Sequence, residues 1–170
     1  MYMRTRKLNT NNYCSIKTTP NACKKHLNIK RTQMPQINTL KDFRMYKKLL
    51  KDKLGLCSTI KRVNLDESIY ASQKEINMKR ARQIAKSILS QNKPKGVPVL
   101  MLKDKNDNYL VVDGHHRWLA YHFLSKRNKT NRRKTIKSHV TKVDEIKNAF
   151  KNINKTLKKS PYLFHKRHSF

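Results

Sequence analysis

The five residues Asp-Gly-His-His-Arg at positions 113–117 join a strand-like apolar stretch, Tyr109–Val112, to a helix-like stretch. Backbone N–H groups at the start of a helix carry a partial positive charge and bind phosphate. Gly114 permits a tight turn with close approach of the backbone, and two histidines and an arginine stand in the first helical turn. The run therefore predicts a phosphate-binding site.

Each polar side chain of this run has a functional and a structural interpretation. Asp113 is suited to accept a substrate hydroxyl proton, to hold Mg²⁺ through a phosphate-bound complex, or to cap the helix. His115 and His116 point about 100° apart on a helix, so one faces the ligand while the other packs or is solvated. Arg117 offers phosphate a planar donor fork, and its alternative role is a surface salt bridge. The predicted phosphate- or nucleotide-binding residues are Gly114, His115, His116 and Arg117.

The chain carries 41 Lys and Arg against 10 Asp and Glu, a formal net charge of +31 over 170 residues. Solubility does not need so large an excess, and the charge repels itself in a compact fold. A polyanion, most often nucleic acid, is the usual partner of such a chain. AT-rich coding, which enriches Lys, Asn and Ile, is the alternative explanation. Specific base recognition does not follow from the charge.

The charge is distributed unevenly along the chain. Acidic side chains are absent from residues 1–41 and nearly absent from residues 125–170. Most acids, and the clearest hydrophobic patterning, lie between these segments. We therefore predict a basic, disordered arm at residues 1–30, a folded domain at residues 31–157 and a basic tail at residues 158–170.

Signals for membranes, secretion and metal binding are weak in this sequence. No apolar run reaches the roughly 18–20 residues of a membrane span. The N-terminus lacks the apolar core of a signal peptide, although its basic, acid-free composition overlaps with that of a mitochondrial transit peptide. Cys14, Cys23 and Cys57 are odd in number and lack C-x-x-C spacing, which fits a reducing compartment. We expect no metal site and a cytoplasmic protein (host cytoplasm or virion, if it is viral) that is not secreted.

Hydrophobic spacing and cap signals predict alternating helices and short strands. The predicted strands span about 58–65, 97–102, 109–112 and 136–143. The predicted helices span about 40–54 after the capping box Thr39–Asp42, 73–89 after the capping box Ser72–Glu75, 113–124, and a last stretch from the cap Asp144 to Leu157. Together they predict an α+β domain with a small mixed sheet and flanking helices.

The order of these elements resembles that of the ParB/sulfiredoxin superfamily. The Asp-Gly-His-His-Arg run at positions 113–117, which we call the central run, resembles motifs of the same superfamily. The resemblance extends over roughly Ile60–Val143 and is clearest over Pro98–Ala120. It implies a compact domain of that fold with a phosphate- or nucleotide-binding site. ParB-type partition proteins carry the box Gly-Glu-Arg-Arg-Trp/Tyr-Arg-Ala, which contributes to nucleotide binding in that family. The positions that match this box are Gly114, Arg117, Trp118 and Ala120.

Three further groups of the superfamily narrow the resemblance. Sulfiredoxins carry Gly-Gly-Cys-His-Arg, and their reactive cysteine falls on His115, which disfavours sulfinic-acid reduction. Free-serine kinases of archaeal type carry Asp-Gly-His-His-Arg-Tyr and use an earlier acidic residue as a base, and Glu75 lies in the comparable region. Viral and phage ParB-like proteins share Asp-Gly-His-His-Arg, and some carry Met-Pro-Gln-Ile upstream, as residues 34–37 do here. His116 matches the motifs of two of these branches, so we expect it, and not His115, to face the ligand.

The sequence also departs from partition proteins. The Glu-Asn-x-x-Arg type of phosphate motif, which ParB proteins carry downstream, is absent between Ala120 and Phe170. No helix-turn-helix pattern follows the central run. Both departures disfavour a CTP-gated partition clamp.

Two other groups of residues complete the candidate site. Glu75 is a candidate base, although its place in a capping box would explain it equally well. The basic run Arg132, Arg133 and Lys134 is a candidate for nonspecific contact with nucleic-acid phosphates, and it lacks an aromatic side chain for base stacking. The predicted catalytic residues are Asp113, His116 and Glu75.

Three functions are compatible with these features. In the first, the domain binds a nucleotide or nucleic-acid phosphate at residues 114–117 and performs phosphoryl transfer or phosphodiester cleavage, with ATP, ADP or CTP plus Mg²⁺ as candidate ligands. In the second, it is a non-catalytic basic protein associated with nucleic acid, such as a viral or phage genome factor. In the third, it is a small-molecule kinase like the free-serine kinases, against which the net charge counts.

Overall fold

The computed structural model describes residues 29, 33–73, 77–91, 97–127 and 134–160. In these residues the elements are, in chain order, α1 (Leu40–Leu54), β1 (Ser58–Asn64), β2 (Ile69–Ala71), α2 (Met78–Gln91), β3 (Val99–Lys103), β4 (Tyr109–Asp113), α3 (His115–Arg127), β5 (Thr135–Lys142) and α4 (Ile146–Lys158). The predicted α+β class, with a small mixed sheet and flanking helices, is confirmed. Most of the predicted arm and tail, residues 1–28 and 161–170, lies outside the described residues.

The five strands form one mixed sheet in the order β1-β5-β3-β4-β2. β1 runs antiparallel to β5, β5 runs parallel to β3, β3 runs antiparallel to β4, and β4 runs parallel to β2. β3 and β4 are joined by a short polar turn and lie near the centre, where four of the five residues in each strand are buried. The end of β4, which leads into the Asp-Gly-His-His-Arg run, is therefore held in the best-packed part of the sheet.

Helices cover both faces of this sheet. Side chains of successive strand residues alternate between the faces, so Leu100 and Leu102 pack with α1 and α4, whereas Val99 and Met101 pack with Trp118 of α3. α2 packs on α3 through a smaller apolar cluster. The members of that cluster are Ala85, Ile88, Ala120 and Leu124. α3 is thus enclosed between the sheet and α2, which fixes the position of its first turn.

The ends of two helices show which cap predictions hold. The capping box at Thr39 is confirmed: its hydroxyl accepts from the N–H of Asp42 at 3.1 Å, and the Asp42 carboxylate accepts from the N–H of Thr39 at 3.0 Å. Gly55 ends α1 in the left-handed conformation, with φ of 64°. The predicted cap of α4 is wrong by one residue, because Glu145 rather than Asp144 accepts the hydrogen bond from the first helical turn.

The segment between β1 and α2 differs most from the prediction. β2 was not predicted, because it is a fully buried run of only three residues that lacks periodicity. α2 begins at Met78 instead of Gln73, and Asn77 caps it by accepting from the N–H of Arg80 at 3.0 Å. Ser72 lies six residues before Met78 and so does not cap this helix; its hydroxyl donates to the carbonyl of Val111 at 2.6 Å.

We expect Thr39→Ala to lower the free energy of unfolding by about 1 kcal/mol, because the hydroxyl that caps α1 is lost. Urea unfolding at neutral pH would measure the change. Thr39→Ser keeps the hydroxyl and is the matched control. Equal losses in the two variants would show that the cap hydrogen bond does not stabilise α1.

Candidate functional site

The turn between β4 and α3 is shaped by an irregularity in the sheet. Met101 pairs with Val111, but the next partner of β3, Leu100, pairs with Asp113, so the register skips Val112. Such bulges bend a strand and redirect the side chains that follow. Gly114 comes next with φ of 91°, and its carbonyl accepts the first helical hydrogen bond of α3 at 2.9 Å. Because of the bulge and the glycine, only one residue separates the end of β4 from the start of α3.

A cleft of about 290 Å³ opens at this turn. Its walls come mainly from three segments: residues 34–38 ahead of α1, one face of α2, and the β4–α3 turn. Gln73 and Val97 complete them. The polar and charged side chains that line it are Gln36, Asn38, Gln73, Arg80, Ser87, Asp113, His115, His116 and Arg117. The structure therefore brings the predicted residues Asp113–Arg117 together at one cleft, and it adds α2, which was not predicted to take part.

Arg117 is the most buried cation of the cleft. Its Nη2 lies 3.5 Å from a carboxylate oxygen of Asp113, and each of these side chains is 20% exposed. Burial lowers the pKa of the Arg117 guanidinium, and the nearby positive charge of Arg80 lowers it further, while Asp113 raises it. The cleft thus contains two guanidinium groups that act on each other. The predicted alternative for Arg117, an ion pair, exists within the candidate site itself.

Gly114 lies directly beneath the Arg117 side chain. A Cβ atom built on Gly114 would lie 3.1 Å from Nη2 of Arg117, 3.1 Å from Cγ2 of Val99 and 3.2 Å from Cα of Val99. Glycine at this position therefore lets the guanidinium lie close to the backbone at the start of α3.

His115 is buried and neutral. Its Nε2 accepts hydrogen bonds from the N–H groups of Ser72 and Gln73, both at 3.2 Å. The pKa of His115 is lowered to about 3, chiefly by burial and also by the neighbouring His116, while a hydrogen bond to the backbone of Val111 raises it. An unprotonated Nε2 agrees with its role as an acceptor. Its predicted role as a phosphate ligand stays a prediction.

His116 repeats this arrangement one residue later. Its Nε2 accepts from the N–H of Asn77 at 3.0 Å. The two imidazoles thus attach both ends of the connection between β2 and α2 to the first turn of α3. This arrangement places the N-terminus of α2, and with it Arg80, beside the cleft.

Arg80 and Asn77 are the site residues that the sequence did not indicate. The capping box at Ser72 placed the helix start too early, which hid Asn77 as the cap. One signal was present, because Arg80, Ile84 and Ser87 recur at helical spacing, and all three line the cleft.

The remaining predicted residues do not lie at the cleft or are not described. Glu75, Arg132 and Arg133 lie outside the described residues. Lys134 is exposed just before β5, and its carbonyl accepts from the N–H of Leu65 at 2.7 Å. It is absent from the cleft walls.

Two further observations concern the described part of the chain as a whole. No cluster of three or more His, Cys, Asp or Glu side chains suited to a metal ion occurs in it. None of its helices combines the length and the apolarity that crossing a bilayer requires.

Comparison with known proteins gives likenesses of fold. No family model and no curated protein matches the sequence. Similar solved structures include SbnI with C-terminal truncation from Staphylococcus aureus (22% identity, TM-score 0.37), sulfiredoxin from Arabidopsis thaliana (16%, 0.39) and the C-terminally truncated chromosome-partitioning protein ParB from Caulobacter crescentus, complexed with CTP-gamma-S (13%, 0.40). These matches cover 51%, 56% and 60% of this chain, and 31%, 96% and 53% of the respective structures.

At these identities and TM-scores the likeness concerns fold alone and assigns neither a subgroup nor an activity. The Asp-Gly-His-His-Arg subgroup therefore stays a prediction.

We expect the stability of the wild type to fall as the pH drops from about 6.5 toward 4, by up to about 1.4 kcal/mol per pH unit from His115 alone. The sign follows from its low pKa of about 3: the unfolded chain takes up a proton below about pH 6.5, and the folded chain does not. Urea unfolding at several pH values would measure the slope.

The matched control is His115→Gln, which keeps an acceptor but does not titrate. Its slope should be shallower than that of the wild type. Equal slopes for both proteins would mean that His115 is not held neutral by burial.

We expect Gly114→Ala to destabilise the protein by about 1–3 kcal/mol, because its φ is strained for alanine and its Cβ would contact the Val99 backbone. Gly55→Ala is the control, since Gly55 also has positive φ but a Cβ there meets nothing within 4 Å. Thermal unfolding of both variants would separate strain from contact. The contact explanation fails if Gly55→Ala is equally destabilising.

Proposed function

We propose that the cleft at the start of α3 binds the phosphate groups of a nucleotide. The observation that carries the proposal is the pair of guanidinium groups, Arg117 and Arg80, which line one cleft with the carboxylate of Asp113. Among the described residues that line the cleft, two guanidinium groups stand against one carboxylate, an excess of about one positive charge. A phosphate would neutralise this excess.

Partial burial strengthens this preference for an anion. Arg117 is 20% exposed, so it has lost much of its hydration, and its pKa is lowered for that reason. Its only carboxylate neighbour within 4 Å in the described residues is Asp113, and their distance of 3.5 Å is at the long limit for a hydrogen bond. A bound phosphate restores charge-assisted hydrogen bonds to a group that water no longer serves fully.

The helix start adds a second attraction for an anion. The first helical hydrogen bond of α3 is donated by Trp118, so the N–H groups of the preceding turn are not used within the helix. These groups, together with the helix dipole, favour negative charge at this point. The glycine at position 114 allows a phosphate to approach the backbone closely.

The size and lining of the cleft suit a mononucleotide better than a nucleic-acid strand. A volume of about 290 Å³ lies near the lower limit of small-molecule sites. The walls also include apolar side chains that would contact a sugar or a base. These are Met34, Ile37, Ile84, Ile88, Val97 and Val112.

The proposal gives the polar residues distinct roles. Arg117 and Arg80 bind phosphate, Asp113 orients Arg117, and the two histidines hold α2 against the turn. Phosphoryl transfer with Asp113, His116 or Glu75 as catalytic groups stays a prediction, because Asp113 faces a cation and His116 accepts from the backbone of Asn77.

We expect a nucleotide among ATP, ADP and CTP, tested with and without Mg²⁺, to raise the melting temperature of the wild type. A ligand at 100 times its Kd stabilises the folded state by about 2.7 kcal/mol. Arg117→Ala should lose at least about tenfold in affinity, because a hydrogen bond between charged groups contributes about 1.5–3 kcal/mol. A thermal-shift titration measures both effects.

Three further measurements make the test decisive. Arg80→Ala should also weaken binding, and it is safer for folding because Arg80 lies on the exposed side of α2. Arg82→Ala removes the same charge from the same helix outside the cleft, so it should bind like the wild type. Inorganic phosphate alone should bind more weakly than the nucleotide. Unchanged affinity in both Arg117→Ala and Arg80→Ala would overturn the proposal.

A further inference from the structure

Two cations lie directly opposite each other at the edge of the sheet. In the antiparallel pair of β1 and β5, Arg62 is the partner of Lys137, and both side chains are exposed. Like charges at directly opposed positions destabilise a sheet. The fold keeps this pair without a carboxylate within salt-bridge distance of either cation in the described residues.

α1 brings more positive charge to the same face. The next cross-strand pair on this face is Ile60 with His139. The ring of His139 packs edge-on against Phe43 of α1, with centroids 4.5 Å apart, so α1 lies against this face of the sheet. The ammonium of Lys47 lies 5.6 Å from the centroid of the Phe43 ring. Burial lowers the pKa of His139, and the charges of Lys47 and Lys137 lower it further. Lys47 of α1 and Lys137 of β5 therefore lie near the same imidazole, that of His139.

The positive charge continues along the exposed side of α1. Arg44, Lys47 and Lys51 are exposed and follow one another at positions i, i+3 and i+7, which lie on one side of a helix. We call these three residues, with Arg62 and Lys137, the basic face. The ion pairs Lys103–Asp107 and Asp113–Arg117 include no residue of the basic face.

The basic face is separate from the nucleotide cleft. The cleft is lined by residues 34–38, α2 and the β4–α3 turn, and none of the five cations of the basic face is among its lining residues. A ligand of one surface therefore does not depend on the other.

We propose that the basic face binds the phosphate backbone of double-stranded nucleic acid. Phosphate contacts by Lys and Arg provide most of the affinity of nonspecific binding, and they require no base recognition. Binding also offsets the repulsion between Arg62 and Lys137, since each would face a phosphate. A duplex fits better than a single strand, because single strands are held by stacking on aromatic side chains. The exposed large apolar side chains in the described residues are Leu40, Ile60 and Leu89, and none is aromatic.

The test compares the full-length wild type with the double variant R62Q/K137Q in binding to a short duplex of arbitrary sequence. Fluorescence anisotropy at a series of salt concentrations gives Kd and its salt dependence. We expect the variant to bind about tenfold more weakly at physiological salt, and the slope of log K against log salt to decrease by about 2. The loss should be the same for unrelated sequences.

The matched control is R82Q/K86Q, which removes two exposed cations from the outer side of α2. It should keep most of the affinity and slope of the wild type. Equal losses in the two double variants would overturn the proposal, because binding would then follow net charge and not this face. Equal or tighter binding of a single strand, or of vesicles of anionic lipid, would also overturn it.

Two further measurements distinguish loss of the duplex-binding surface from loss of folding and from effects of the nucleotide cleft. Removing like charges should leave the melting temperature of R62Q/K137Q unchanged or higher, so lost binding that accompanies a lower melting temperature would count against it. Arg117→Ala should bind the duplex like the wild type, and R62Q/K137Q should bind nucleotide like the wild type. Either surface can therefore fail its test without affecting the other.

Discussion

The candidate site depends on two imidazoles that accept hydrogen bonds from the main chain. His115 and His116 attach the connection between β2 and α2 to the first turn of α3. These bonds hold the N-terminus of α2, and with it Arg80, close to Arg117. The same bonds give the buried N–H groups of Ser72 and Gln73 their acceptor, and an unsatisfied buried donor costs about 1–3 kcal/mol. The two histidines therefore shape the cleft even where they do not contact a ligand.

This arrangement gives a physical reason for the spacing of the central run. Gly114 lets the Arg117 side chain lie close to the backbone. Two histidines that can accept hydrogen bonds from the backbone follow the glycine. Arg117 comes one helical turn after Asp113, so the two side chains meet. Each residue needs its neighbours: a side chain at 114 would displace the guanidinium, and protonated imidazoles would release α2. His115 contributes to this positioning without adding charge to the cleft.

Much of the fold followed from local signals in the sequence. The N-terminal cap of α1 and the central strands are explained by side chains close in sequence or by simple periodicity. The cluster at residues 113–117 was also accessible, because a strand, a glycine and a helix start are contiguous. The features that were not predicted depend on partners distant in sequence. β2 is held by its pairing with β4. The Ser72 hydroxyl, predicted to cap a helix, instead contacts Val111 and His115. Arg80 enters the site only because α2 packs on α3.

The charges on β1 have a consequence for how copies of this protein meet. β1 is an edge strand of the described sheet, and an open edge offers unpaired backbone groups to any passing strand. Lys61 and Arg62 occupy the middle of this edge, so a second copy approaching edge to edge would bring four cations together. At the opposite edge, β2 is only three residues long and gives little backbone for pairing. Both edges thereby resist aggregation through strand addition, a hazard for any chain that exposes an open sheet in a crowded cell.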